Sequence, residues 1–228
     1  DGSANIDLPG VNSAGNQNTS GTAAGLSGTP NISCGTISGS TGSFSGNLSI
    51  TNKIIHAGDV DTSIAFPDAD TFTVETGGSE RLRIESTGKV LIGDDTAENT
   101  MGLNANVQTF GTDASASGFA IKRGSNDAQA AFLVLSKSRN TSVGSRTILN
   151  NGDEVGNIFF VADDGTDLIS NTAAIKSGID DAPAANDTPG NLTFWTTPDG
   201  SNTATQKVTI SNASGTHHEV IYAENDAN

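Results

Sequence analysis

Residues 77–92 read GGSERLRIESTGKVLI, and this stretch decides the class of fold. Leu82 and Ile84 alternate with charged residues, and Gly88 lies in a Ser-Thr-Gly-Lys turn that precedes a second apolar alternation. A period of two places every second side chain on the same side of a strand, and glycine supplies the positive φ that such a turn needs. The stretch therefore predicts a β-hairpin.

A variant of this hairpin returns as DGSNTATQKVTISNASGTHHEVIY, residues 199–222. The two copies share the order of their apolar pairs, a threonine and a turn glycine. The correspondence is Phe72-Thr73-Val74 with Leu192-Thr193-Phe194, Thr76 with Thr196, Leu82-Arg83-Ile84 with Val208-Thr209-Ile210, and Gly88 with Gly215. Each unit is too small to bury itself alone, so the repeat predicts modules stacked along an axis.

Several short segments between residues 101 and 215 repeat the same pattern, and no window shows a long helical period. The predicted strands are GFAIK, AAFLVLSK, RTIL, NIFFVA, AAIKSGI, NLTFW and KVTIS, with turns at Asn151-Gly152, Asp164-Gly165 and Asp199-Gly200. Such dipeptides readily close tight hairpins. The chain is therefore predicted to be all-β.

Four regions follow from the composition along the chain. We predict a Gly/Ser/Thr-rich repetitive segment over 1–52, a first hairpin module over 53–100, a larger module that repeats the hairpin over 101–215, and a terminal segment over 216–228. A flexible linker is the alternative for the first region. The single cysteine, Cys34, excludes an intrachain disulfide and is either a small buried thiol or a contact between copies.

Apolar residues are scarce, at 34% of the 228 residues, against roughly 45–50% in an average soluble domain when glycine is included. One copy therefore has a thin core, and identical neighbours can bury strands that one copy leaves wet. The formal charge of −15 disfavours nucleic acids and anionic membranes. The sequence has no 18-residue apolar run, which argues against membrane insertion.

Candidate catalytic and metal-binding residues are weak. The adjacent pairs Asp163-Asp164 and Asp180-Asp181 are interpreted as turn residues, because neighbours on a strand face opposite ways. For the same reason one chain cannot chelate a metal with both His217 and His218, although one histidine from each of several copies could ring an axis. Isolated His56 and the acidic stretches Asp59-Val60-Asp61 and Asp68-Ala69-Asp70 also match no metal-site pattern. No catalytic residue, metal or cofactor is predicted.

Two aromatic residues are the candidates for receptor contact. Trp195 follows Phe194 in NLTFW, so one of the two faces outward if the strand is regular. Tyr222, near the end of the chain, is the other candidate. For Trp195, an anchor between subunits is favoured over receptor contact, because tryptophan is enriched at such interfaces.

Three stretches resemble tail-fibre proteins of tailed bacteriophages, especially those of marine and cyanobacterial hosts. They are DGSANIDLPGVNSAGNQNTSGTAAG, FPDADTFTVETGGSERLRIESTGKVLIG and GDEVGNIFFVADDGTDLISNTAAIKSGIDDAPAANDTPGNLTFWTTPDGS. The resemblance implies an elongated, homotrimeric fibre of stacked β-hairpins, of the β-prism or triple-stranded β type. It also implies a location in the virion tail, contacts with tail or baseplate proteins, and support of adsorption to a host-surface glycan.

Three other functions remain open at this point. A glycan-cleaving tailspike would be an enzyme, whereas we expect a structural protein. A trimeric bacterial surface adhesin and a head or neck fibre would share the stacked hairpins, and residue patterns alone do not separate them from a tail fibre.

Overall fold

The computed structural model describes residues 42–43 and 45–211, together with the backbone of 219–221. The chain divides into two compact parts between Leu48 and Ser49, and all of the described strands belong to the part that begins at Ser49. Within the described residues the regular structure is entirely β, which confirms the predicted class. No helix in these ranges has the length and apolarity needed to cross a membrane.

The first sheet is a meander of six strands in chain order. Its strands are β1 (Lys53–His56), β2 (Asp59–Ala65), β3 (Phe72–Thr76), β4 (Ser79–Ile84), β5 (Val90–Ile92) and β6 (Val107–Thr109). Neighbours run antiparallel except β5 and β6, which are parallel. The predicted turn closes between β4 and β5, where Gly88 adopts a φ of 85°.

The second sheet has five antiparallel strands in the order β11-β10-β9-β8-β7. They are β7 (Glu154–Val161), β8 (Asn171–Ile179), β9 (Gly190–Thr196), β10 (Thr205–Ser211) and β11 (Glu219–Ile221). The glycines of the predicted turns, Gly152, Gly165 and Gly200, all have positive φ. Both sheets are open, and neither closes into a barrel.

The strand register confirms the paired strand residues of the repeat predicted from the sequence, whereas Gly215 lies outside the described residues. In the first sheet Phe72 pairs with Ile84, Thr73 with Arg83 and Val74 with Leu82. The equivalent pairs of the second sheet are Leu192 with Ile210, Thr193 with Thr209 and Phe194 with Val208. A bulge interrupts both hairpins just beyond the last of these pairs. The same hairpin is therefore built twice, with its irregularity conserved between copies.

The structural repeat is longer than the sequence indicated. Ile64 pairs with Ile54 on one side and Val74 on the other, as Ile175 pairs with Ile158 and Phe194. On the far side, Ile84 pairs with Val90 as Ile210 pairs with Val220. Strands β1–β5 and β7–β11 are thus two copies of one five-stranded unit.

One face of each unit presents apolar side chains at successive paired positions, and we call this set of residues the charge-free face. In the first sheet it comprises Ile54, Ile64, Phe72, Val74, Leu82, Ile84, Val90 and Ile92, and in the second Ile158, Phe160, Ile175, Leu192, Phe194, Val208 and Ile210. Many of these side chains remain exposed to solvent. The alternation of the strands therefore collects apolar residues without covering them.

The opposite face of each unit holds most of the few buried side chains. Thr73 and Thr193 occupy equivalent positions there and are both buried, and they pair across the strands with Ala65 and Lys176. Leu91 is fully buried. Only Ala65, Leu91, Ala174 and Ile179 are buried apolar residues in the described ranges, so one chain builds no extended apolar core.

Three predicted strands are not in a sheet of this chain. GFAIK, AAFLVLSK and RTIL, residues 118–122, 130–137 and 146–149, pair with no strand among the described residues. Their alternating or continuous apolar residues satisfy the pattern for a strand, but a strand also needs a neighbour, and the pattern does not specify one. The second module therefore begins its sheet at β7, well after residue 101.

Candidate functional site

The most chemically varied surface of the described chain is the face of the second sheet opposite its charge-free face. Because side chains alternate, Trp195 and Thr193 project from β9 on this face, and Phe194 lies on the other. The Trp195 Nε1 donates a hydrogen bond to the Thr193 Oγ1 at 2.8 Å. Trp195 is half-buried, so part of its indole surface is accessible.

Lys176 projects from β8 beside this tryptophan. Its Nζ lies 4.8 Å from the centre of the Trp195 ring and 5.5 Å from that of Phe159, both in cation–π range. The same Nζ is 3.4 Å from Glu154 Oε1. Glu154 also accepts a hydrogen bond from Asn157 Nδ2, which is the main cause of its lowered pKa. These contacts fix the ammonium group over the aromatic ring.

Asp153 forms the most constrained ionic contact of this region. Its carboxylate accepts two hydrogen bonds from the Arg139 guanidinium, at 2.6 and 2.7 Å, and one from the Asn150 backbone amide at 2.9 Å. The Lys137 Nζ lies 3.7 Å away. The Arg139 hydrogen bonds are the largest reason that the pKa of Asp153 is well below its ordinary value. Asp153 thereby ties residues 137–139 to the start of β7.

A cleft of about 160 Å³ separates these two clusters. Side chains on its border include Asp153, Glu154, Lys176, Asn191, Trp195 and Gln206. An aromatic surface beside amide, carboxylate and ammonium groups can stack against a sugar ring and hydrogen-bond its hydroxyls. The cleft therefore offers groups that can contact polar, ring-shaped ligands.

The predicted acidic pairs lie in turns. Asp163 accepts a hydrogen bond from the Gly165 amide at 2.7 Å, and Asp164 accepts one from the Thr166 amide at 2.8 Å. Asp181 caps the Ala182 amide at 2.7 Å. These carboxylates stabilise local backbone, which agrees with their interpretation as turn residues.

The acidic stretch at the start of β2 brings two carboxylates together. The interaction between the Asp59 and Asp61 carboxyl groups raises the pKa of Asp61 and lowers that of Asp59. The His56 Nδ1 lies 3.7 Å from Asp59. In the described ranges, no three histidine, cysteine or acidic side chains are grouped as metal ligands. Cys34, His217, His218 and Tyr222 lie outside the described residues.

Sequence reasoning identified Trp195 but missed its partners. Lys176 carried a usable signal, since it is a lone cation in the strand AAIKSGI, on the side opposite Ile175. Its position beside Trp195 depends on the β8–β9 register, which pairs Ala174 with Trp195 and Lys176 with Thr193. Arg139 lacked any such signal, because it lies in an unpaired segment 14 residues before its partner Asp153.

Comparison with known proteins places the fold. No family model matches the sequence, and no curated protein matches it. Among solved structures, the chain is similar to the carboxy-terminal domain of the bacteriophage T5 L-shaped tail fibre, with a TM-score of 0.53. The alignment covers 95% of this chain and 92% of that chain at 13% sequence identity. The protein therefore has an all-β fold like that of a phage tail-fibre domain.

Proposed function

We propose that the protein is a structural segment of a bacteriophage tail fibre, assembled from three identical chains and located in the virion. The fold similarity supports the tail-fibre assignment. The shortage of buried apolar residues supports assembly, because exposed apolar strands are stabilised when copies of a chain cover them. The threefold symmetry follows from the family resemblance and is part of the proposal.

One observation carries this proposal: the charge-free faces of the two units are exposed at equivalent positions. Ile54 is 49% exposed and its equivalent Ile158 is 43% exposed, while Ile84 and Ile210 are both 38% exposed. A single uncovered residue is common on protein surfaces, but matched rows of them indicate an interaction surface. Both units therefore present the same surface for the same kind of contact.

The charge distribution favours the charge-free faces as the surfaces on which identical copies meet. Each chain carries −15, so copies repel one another wherever their acidic groups meet. The charge-free faces hold none of those groups, and they are the surfaces on which copies approach at the lowest electrostatic cost. The acidic residues remain outside, where they keep the assembled fibre soluble.

The mass of the native protein tests the assembly. Light scattering of dilute protein is expected to give about 69 kDa, three times the 23.1 kDa of one chain. A folded monomer near 23 kDa would overturn the proposal. The mass of a dimer would be consistent with shared apolar faces but would contradict the threefold symmetry.

The fibre's recognition role is assigned to the cleft beside Trp195. A host-surface glycan is the proposed ligand, and it contacts the indole together with Lys176, whose ammonium already lies over the ring. Three linked copies would bind more tightly than one through avidity. Immobilised host polysaccharide is expected to bind the Trp195→Ala variant at least about tenfold more weakly than the parent protein.

The exposed Val143→Ala variant is the matched control for glycan binding, because Val143 lies in a turn and does not border this cleft. Both variants must retain the native mass. Equal binding by the Trp195→Ala variant and the parent would remove Trp195 from the recognition site while leaving the structural role intact.

The protein is further proposed to bind without catalysis. Incubation with host polysaccharide is expected to leave its chain length unchanged by gel filtration, whereas shortening would favour a tailspike. Labelling virions with gold-tagged antibody distinguishes the remaining alternatives. Label on the tail supports the proposal, label at the head or neck relocates the fibre, and label on bacterial cells alone indicates an adhesin.

A further inference from the structure

Residues 130–135, Ala-Ala-Phe-Leu-Val-Leu, are the most apolar segment without a partner in the described chain. Phe132, Leu133 and Val134 are 68%, 67% and 74% exposed. The segment belongs to no sheet, and its backbone forms no hydrogen bond to a described residue. A continuous apolar run of this length is typical of a strand buried on both faces. One chain alone leaves both its side chains and its backbone unsatisfied.

One end of this run already touches the second sheet. Leu135 lies so close to Gly156 of β7 that a Cβ atom on the glycine would be 2.7 Å from the Leu135 Cβ. A hollow of about 170 Å³ lies there, bordered by Leu135, Ile158, Ile175 and Leu192. The last three belong to the charge-free face, so this face has room for more apolar side chains.

We propose that residues 130–135 of one copy form a strand buried against the charge-free face of the second sheet of a neighbouring copy. The inference rests on the proposed self-assembly and adds the segment that performs it. A second copy is the occupant because every chain supplies one such run and one such face, in equal numbers. The residues of that face include no acidic group, so a second copy, with its formal charge of −15, meets the least repulsion there.

Burial of this run is tested with two valines that are both exposed in one chain. Val134 is 74% exposed within the run, and Val143 is fully exposed in the following turn. Val134→Asp is expected to reduce the trimeric fraction at least about tenfold in native mass spectrometry, because it places a charge in an apolar interface. Val143→Asp makes the same change and is expected to leave the trimer intact. Equal trimer fractions in the two variants would overturn the inference.

Hydrogen exchange of the unmodified protein tests the inference without relying on a variant that folds. Amides of residues 130–135 are expected to exchange at least about a hundredfold more slowly than those of the turn 141–144, because strand pairing protects them. Fast exchange of these amides in a trimeric protein would overturn the inference that residues 130–135 form a buried strand, and it would not contradict the fibre proposal. Fast exchange in a protein that is a monomer rejects both.

Discussion

At the scale of single residues, Gly156 controls how closely residues 130–135 approach β7. Gly156→Ala would add a Cβ atom 2.7 Å from the Leu135 Cβ, a distance that forces one of the two segments to move. Overpacking of this kind costs about 1–3 kcal/mol. The urea midpoint of the variant is therefore expected to fall. Gly124→Ala is the control, since nothing lies within 4 Å of its added Cβ, and its midpoint is expected to stay the same or rise slightly.

Asp153 gives stability a dependence on pH. Its pKa is lowered in the folded protein by the Arg139 hydrogen bonds, so folding favours the ionised carboxylate. The resulting stabilisation is fully present above the ordinary aspartate value of 3.8 and is lost as pH falls toward the lower folded value. In urea titrations between pH 5 and about pH 2, the Asp153→Asn variant is expected to lose less stability than the parent.

The control for this pH dependence is Asp199→Asn, which removes an exposed turn carboxylate. Its stability should follow the parent's pH profile. A profile for Asp153→Asn that coincides with the parent's would mean that the Arg139 contact contributes nothing to acid sensitivity. Arg139→Gln provides a second check, because it removes the partner and leaves the carboxylate, so the native pKa of Asp153 should rise toward its ordinary value.

At the scale of the strand, β5 is short and lies between β4 and the edge strand β6 of the first sheet. Its middle residue, Leu91, is fully buried between β4 and β6. Leu91→Ala is expected to lower the free energy of unfolding by about 2–5 kcal/mol, through lost burial and the cavity left behind. Urea denaturation at fixed protein concentration measures the change. Val143→Ala, at an exposed turn, should change it by less than about 0.5 kcal/mol, and a similar loss in both variants would contradict this role for Leu91.

The hairpins were predictable because their information is local. Phe72, Val74, Leu82 and Ile84 alternate with polar residues, and a turn between the strands fixes which residues pair. The first and last strands of each unit have weaker sequence patterns. The five-stranded repeat was therefore recognised only from the pairing of residues between strands. Residues 130–135 look like a strand to any pattern method, yet their place depends on a partner that is not specified nearby in the chain.

The candidate site was less predictable than the fold. Trp195 could be singled out by residue type, and alternation correctly placed it opposite Phe194. Its contact with Lys176 joins two strands whose register follows from a connection of ten residues, too long for a turn rule to set. The Arg139–Asp153 contact likewise depends on the path of an unpaired segment. Long-range pairing therefore limits sequence reasoning more than residue chemistry does.

At the scale of the whole molecule, charge opposes assembly while apolar surface favours it. Each chain has 26 acidic and 11 basic side chains, so a trimer would carry a formal charge of about −45. Favourable ion pairs exist, such as Lys53 with Glu75 at 3.2 Å, but they engage a minority of the acidic groups. Repulsion should therefore dominate the response of the assembly to salt.

Raising sodium chloride from about 10 to 150 mM shortens the screening length from about 30 to 8 Å. The melting temperature of the assembly is expected to rise over this range, because long-range repulsion between acidic groups is screened. A double variant, Asp181→Asn with Asp199→Asn, removes two exposed negative charges per chain and should show a smaller rise. A melting temperature that falls with salt in the parent would instead mean that attractive ion pairs, rather than shared apolar faces, hold the copies together.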